Sequence, residues 1–99
     1  NLPVLADLDV RIDDGAQEVI LIHSAVALQG SPGDTVSLLP LSPIVRGIST
    51  SGLKYPLTDE SLIFYRSRGI SNEMSAENAN VQIQSGILLC IHARREVTL

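Results

Sequence analysis

The sequence predicts an all-β domain, a β-sandwich of about eight short, mostly antiparallel strands. Three observations predict it. Glycine and proline punctuate the chain at positions 15, 30, 32, 33, 40, 43, 47, 52, 56, 69 and 86, which cuts it into strand-length segments. Val, Ile and Leu supply 32 of the 99 residues, and β-branched side chains suit a pleated, half-buried surface. No long stretch repeats its apolar residues at helical spacing.

The elements follow in order. Val10-Arg11-Ile12 alternates and meets Asp13-Asp14-Gly15, a turn signature. Residues 17–23 form an apolar, β-branched run. Residues 24–29 alternate Val26 and Leu28 with small residues. The stretch 16–29 lacks Gly and Pro and has the length of a helix. Its apolar residues run contiguously, however, so strand is the reading. Ser31-Pro32-Gly33-Asp34 is a second turn, followed by strands over 35–41 and 44–51. Pro40 and Pro43 mark an edge, a bulge or a crossing between sheets, because proline cannot donate to a ladder. Residues 61–66, 80–84 and 87–91 complete the set.

Composition bounds the function. Ninety-nine residues make one domain, 1–99, large enough for a core without metal or disulfide support. A net charge of −4 argues against nucleic acid or an anionic membrane as partner, since clustered Lys and Arg would carry that affinity. No apolar run approaches the roughly 18 residues of a membrane span. The single cysteine, Cys90, excludes a disulfide framework and a Cys-rich zinc module. The chain opens Asn1-Leu2-Pro3-Val4-Leu5, with neither Met nor leader, and reads as a piece of a longer protein. With no export signal in view, the cytoplasm is the expected compartment.

Candidate sites are few. Gly47 and Gly52 with Lys54 resemble a phosphate-binding loop, but Leu53 separates the lysine from the glycine and Pro56 forbids the helix that should follow. Asp7, Asp9, Asp13 and Asp14 do not follow the calcium-loop spacing and read as solvated turn and edge carboxylates. Cys90 and His92 point the same way from one strand, yet two ligands are too few for zinc, and His23 would have to join from elsewhere. A buried cysteine beside a strand-end histidine is the simpler reading. No serine sits in a nucleophile elbow. No catalytic residue and no metal site is expected. A metal hydrolase built on Asp7, Asp9 and the histidines is correspondingly disfavoured.

What remains is two polar, glycine-bearing segments, residues 50–57 and 68–73. Tyr55, in a Lys-Tyr-Pro context, offers a flat face and a hydroxyl for stacking on a planar ligand. Gly69 lets backbone approach a ligand, and Ser71 and Asn72 both donate and accept hydrogen bonds. The plain alternative is that Tyr55 packs and residues 69–72 merely turn.

These segments, in this order, resemble the C-terminal domain of the thiamine pyrophosphokinase (thiamine diphosphokinase) family. Four pieces carry the resemblance: Val36-Ser37-Leu38-Leu39-Pro40-Leu41-Ser42, residues 50–57, residues 69–73, and Ser85-Gly86-Ile87-Leu88-Leu89. It spans about residues 34–91. The resemblance implies a thiamine-binding, dimer-forming β-sandwich whose parent enzyme transfers diphosphate from ATP to thiamine, giving thiamine diphosphate and AMP. It implies that ATP and magnesium are handled by an N-terminal α/β catalytic domain, that the sandwich itself is not catalytic and holds no cofactor, and that thiamine lies at a homodimer boundary. It matches Tyr55 to the aromatic position beside thiamine, and Ser71 and Asn72 to the pyrimidine-binding pair. Gly69 stands where animal members carry a serine, so no hydrogen bond transfers there. Thiamine's aminopyrimidine sets an acceptor beside a donor, which an asparagine amide complements; Glu73 reads equally as a carboxylate that attracts the cationic thiazolium or as a solvated turn residue. Asn72→Ala is expected to impair thiamine use while sparing the fold. The rival expectation is a structural sandwich that only pairs subunits or holds a neighbouring domain.

Overall fold

The structure, a computed structural model, describes residues 10–66 and 69–95. Asp7 and Asp9 lie outside the described residues. Nine strands form, with no helix among the described residues: β1 (Val10–Asp13), β2 (Gln17–Ile22), β3 (Ala25–Gln29), β4 (Thr35–Pro40), β5 (Ile44–Ser51), β6 (Glu60–Ile63), β7 (Ile70–Glu73), β8 (Asn78–Gln82) and β9 (Leu88–Ala93). They make two antiparallel sheets, a five-stranded one in the order β1-β2-β9-β4-β7 and a four-stranded one in the order β3-β8-β5-β6. The expected all-β sandwich is the observed fold, with one strand more than the eight read from sequence.

The period of two decides which residues meet between the sheets. Along β2 the residues Glu18, Ile20 and Ile22 are buried, and along β9 Leu88, Cys90 and His92. Val36 and Leu38 of β4 join them from one side. Val26, Leu28, Val45, Ile48, Ala79 and Val81 close the core from the other sheet. Each fully buried aliphatic side chain contributes about 1.5–3 kcal/mol. Truncating one at the centre, Leu38→Ala, costs about 2–5 kcal/mol because the close-packed surroundings relax only in part.

The two outward faces differ in kind. The four-stranded sheet turns Ala27, Gln29, Asn80 and Gln82 to the exterior in strict alternation. The five-stranded sheet is apolar on its outside: Ile12 pairs with Val19, Val19 with Ile91, Leu21 with Leu89 and Leu89 with Leu39. Ile12 there is 66% exposed and Val10 48%.

Pro40 ends β4 opposite Leu88, beyond the last residue, Leu38, that pairs with β7. Its missing N–H therefore faces no partner strand, which is how a central strand tolerates a proline. The ninth strand, β7, is the segment read from sequence as glycine-bearing loop. Ile70-Ser71-Asn72-Glu73 is poor in strand formers, yet it pairs with β4 from Thr35↔Glu73 to Leu38↔Ile70. Tertiary pairing overrides weak local propensity here.

Candidate functional site

The two segments singled out in the sequence meet at the β7 edge of the five-stranded sheet. Residues 52–55 run along that edge. Leu53 bridges Met74, the Lys54 amide donates to the Glu73 carbonyl (2.8 Å), and the Ser75 amide donates to the Gly52 carbonyl (2.9 Å). At Tyr55 the backbone ladder is replaced by a side chain. The Asn72 Oδ1 accepts from the Tyr55 amide (3.0 Å) and from the Glu73 amide (3.0 Å), while its Nδ2 donates to the Tyr55 carbonyl (2.7 Å). Asn72 is 2% exposed. An asparagine amide carries both a donor and an acceptor, so it mimics one peptide unit and pairs with another. Tyr55 is thereby hung on the sheet edge with its side chain 59% exposed.

This geometry separates the roles of the sequence-predicted residues. Neighbours along a strand point to opposite faces: Asn72 points inward and is occupied, whereas Ser71 is exposed on the outward face. They therefore do not present a common hydrogen-bonding pair to one ligand. Asn72 acts on the site by holding Tyr55. Gly69 immediately precedes β7 at φ +89°, and a Cβ there would lie 3.0–3.1 Å from the Leu38 carbonyl and the Leu39 side chain. The close approach that requires glycine is thus to β4. Gly69 and Ser71, with Ser37, Leu39 and Ile91, line a shallow depression of about 290 Å³.

Charge is arranged beside it. The Lys54 Nζ sits 5.4 Å from the centroid of the Tyr55 ring and 4.0 Å from the Glu73 carboxylate. Glu73 follows Ser71 by two residues and shares its face, so these two border one outward patch, with Lys54 and the exposed Tyr55 on the adjoining segment. An exposed ring can stack a planar group, Glu73 can draw a cation in place of Lys54, which now lies beside both the ring and the carboxylate, and the Ser71 hydroxyl can hydrogen-bond.

A second polar cluster escaped the sequence reading. His92, expected as a strand-end residue, is fully buried. Its Nδ1 lies 2.9 Å from Glu18 Oε1 and its Nε2 2.8 Å from Asp34 Oδ2. Glu18 and Asp34 are themselves 3% and 2% exposed. Arg11 and Arg94 approach Glu18 at 3.7 and 4.0 Å, and Arg94 also makes a two-pronged bond with Asp13 at 2.9 and 2.8 Å. Burial pushes the Asp34 carboxyl up, but the Arg95 amide, His92 and the Ser31 amide together hold it below the usual aspartate range. Burial, reinforced by the charge of Glu18, pushes the Cys90 thiol up to about 12. The signal that could have found the cluster was phase: Glu18 alternates in step with Ile20 and Ile22, and His92 with Leu88 and Cys90.

No group of three His, Cys, Asp or Glu side chains among the described residues is disposed to hold a metal ion. Glu18 is committed to His92, Arg11 and Arg94, and Asp34 to His92 and the backbone amides of Ser31 and Arg95, so these buried carboxylates do not fit a magnesium ion.

An antiparallel two-sheet sandwich with a tyrosine hung on one sheet edge by a buried amide is a β-sandwich module built to present a ledge. The chain belongs to the family described as "Thiamin pyrophosphokinase, vitamin B1 binding domain", matched over residues 21–88. The thiamin pyrophosphokinase of Geobacillus thermodenitrificans has a crystal structure similar to it, with 25% identity, a TM-score of 0.80, and coverage of 99% of this chain and 46% of that one. That of Bacillus subtilis is 20% identical at a TM-score of 0.77, covering 96% of this chain and 46% of that one. That of Candida albicans is 21% identical at 0.65, covering 86% and 33%. The chain thus spans less than half the length of these solved relatives. No curated protein matches the sequence.

Proposed function

We propose that this domain binds thiamine at the β7 edge, as the vitamin-binding half of a cytoplasmic enzyme that transfers diphosphate from ATP to thiamine, giving thiamine diphosphate and AMP. The observation that carries the reading is the Asn72 amide clasping the Tyr55 backbone, which fixes the residue that bears an exposed aromatic ring at the strand edge that also carries Ser71 and Glu73. In this reading the aminopyrimidine stacks on Tyr55, Gly69 and Ser71 border it, and Glu73 faces the thiazolium charge. Asn72 is a positioning residue that does not itself touch the vitamin. Stacking contributes about 0.5–1.5 kcal/mol, and each neutral hydrogen bond about 1 kcal/mol.

Within the same reading, ATP and magnesium belong to an N-terminal catalytic domain of the parent enzyme, and this domain holds no cofactor and performs no chemistry of its own. Family membership and the length of the relatives support this division. The apolar outward face of the five-stranded sheet supports the homodimer, because soluble monomers rarely leave a broad apolar face uncovered. Titration calorimetry of thiamine into the domain tests the binding. Tyr55→Ala should weaken it by about two- to twelvefold, the loss expected for ring stacking of that strength. Equal affinity in the variant would remove Tyr55 from the site.

A further inference from the structure

We propose that His92 is held as an imidazolium, and that the buried clamp it forms with Glu18 and Asp34 positions the ledge at residues 52–55. The inward-facing row at this end of the sheet runs Asp13, Glu18, His92, Val36, Asn72 across β1, β2, β9, β4 and β7 in register. Both ring nitrogens of His92 face carboxylate oxygens at 2.8–2.9 Å. An ionised carboxylate only accepts, so both nitrogens must donate. A neutral ring would set a bare nitrogen against a buried carboxylate and break one side of the clamp. The charged groups around the ring fit this state. Glu18 comes from β2 and Asp34 from the turn before β4, while Arg11 of β1 and Arg94 after β9 stand behind Glu18, with Asp13 taking up the charge of Arg94. Gly30 follows β3 directly, and a Cβ there would meet both Asp34 and the His92 ring.

The route to the ledge is a continuous ladder. Asp34 accepts a hydrogen bond from His92 Nε2 (2.8 Å) at one carboxylate oxygen and from the Arg95 amide (3.0 Å) at the other. Its backbone carbonyl accepts from the Met74 amide (2.8 Å), and Met74 bridges Leu53, two residues before Tyr55. A shift of Asp34 is therefore passed to the segment that carries the tyrosine.

Two NMR measurements on the 99-residue protein test the proposal, and neither uses thiamine, so their failure is distinct from failure of the vitamin-binding reading. Long-range proton–nitrogen correlation at neutral pH should find both His92 nitrogens protonated. A bare nitrogen in that ring overturns the imidazolium. In Asp34→Asn, which keeps an acceptor but removes the charge, the Met74 and Tyr55 amides and the Asn72 side-chain amide should shift and lose hydrogen-exchange protection. The Leu41 amide, whose bond to Ile87 lies elsewhere, should not. Unmoved Tyr55 and Asn72 signals in a folded variant overturn the coupling. Should that variant not fold, Glu18→Gln breaks the clamp from the other side and is read by the same signals, with the same outcomes.

Discussion

Removing the Asn72 amide is the most informative single perturbation of the ledge. Asn72→Ala deletes three hydrogen bonds, two from the Tyr55 and Glu73 amides to Oδ1 and one from Nδ2 to the Tyr55 carbonyl. A neutral hydrogen bond contributes about 1 kcal/mol net, and a backbone group left unpaired costs about 1–3 kcal/mol where water cannot reach it. Tyr55 is exposed, so water restores part of the loss there, whereas the amide of half-buried Glu73 gains less. The predicted destabilisation is about 2–4 kcal/mol, a large fraction of the 5–15 kcal/mol typical of a domain. Urea unfolding measures it. The expectation from sequence that this substitution spares the fold is replaced by this cost, because the side chain is buried and committed. Asn72→Asp is the control: its carboxylate still accepts from both amides but opposes the Tyr55 carbonyl, so it should be destabilised as well. A loss below about 0.5 kcal/mol for Asn72→Ala, the range of an ordinary surface change, would refute the argument that this amide supports the ledge.

Three further outcomes follow from the buried cluster. Gly30→Ala should destabilise by about 1–3 kcal/mol, the usual cost of overpacking, since its Cβ would lie 2.8 Å from the His92 ring; wild-type urea stability in the variant would contradict the packing there. Cys90, buried with its thiol pushed up to about 12, should react with thiol reagents only as fast as the protein unfolds; rapid modification under native conditions would contradict that burial. Asp34 has a carboxyl held below its ordinary value of 3.8, so its ionisation favours the folded state above that pH and the contribution disappears as pH falls through the lowered value. Acid unfolding curves should therefore show a steeper loss of stability below about pH 4 in the wild type than in Asp34→Asn; parallel curves would contradict it.

Much of the sandwich was legible because alternation and turn chemistry agree. The strands read at 17–23, 24–29, 35–41 and 44–51 lie over β2 to β5, and Asp13-Asp14-Gly15 turns as written, with the Asp14 carboxylate accepting from the Ala16 and Gln17 amides at 3.0 and 2.8 Å. Boundaries drifted where side chains misled. Phe64 and Tyr65 look like strand residues but lie beyond β6, stacked edge to face at 5.8 Å. β7 escaped because a strand formed by pairing with β4, and finished on its outer side by an asparagine amide, leaves little periodic trace over four residues. The convergence of Tyr55 with Asn72 came from motif resemblance. The opposite facing of Ser71 and Asn72 needed the strand assignment. The clamp of His92 joins residues 58 and 74 positions away, a distance over which only the phase of burial carries information.

The central claim is that an exposed tyrosine held by a buried amide receives the pyrimidine of thiamine. Backbone and side-chain amide NMR during a titration with thiamine tests it most directly. The account predicts the earliest and largest shifts at Tyr55, Gly69, Ser71 and Glu73, with the Asn72 side-chain amide following because it rides on Tyr55. Shifts confined to the opposite sheet, around Ala27, Asn80 and Gln82, with the β7 edge unmoved, would contradict it.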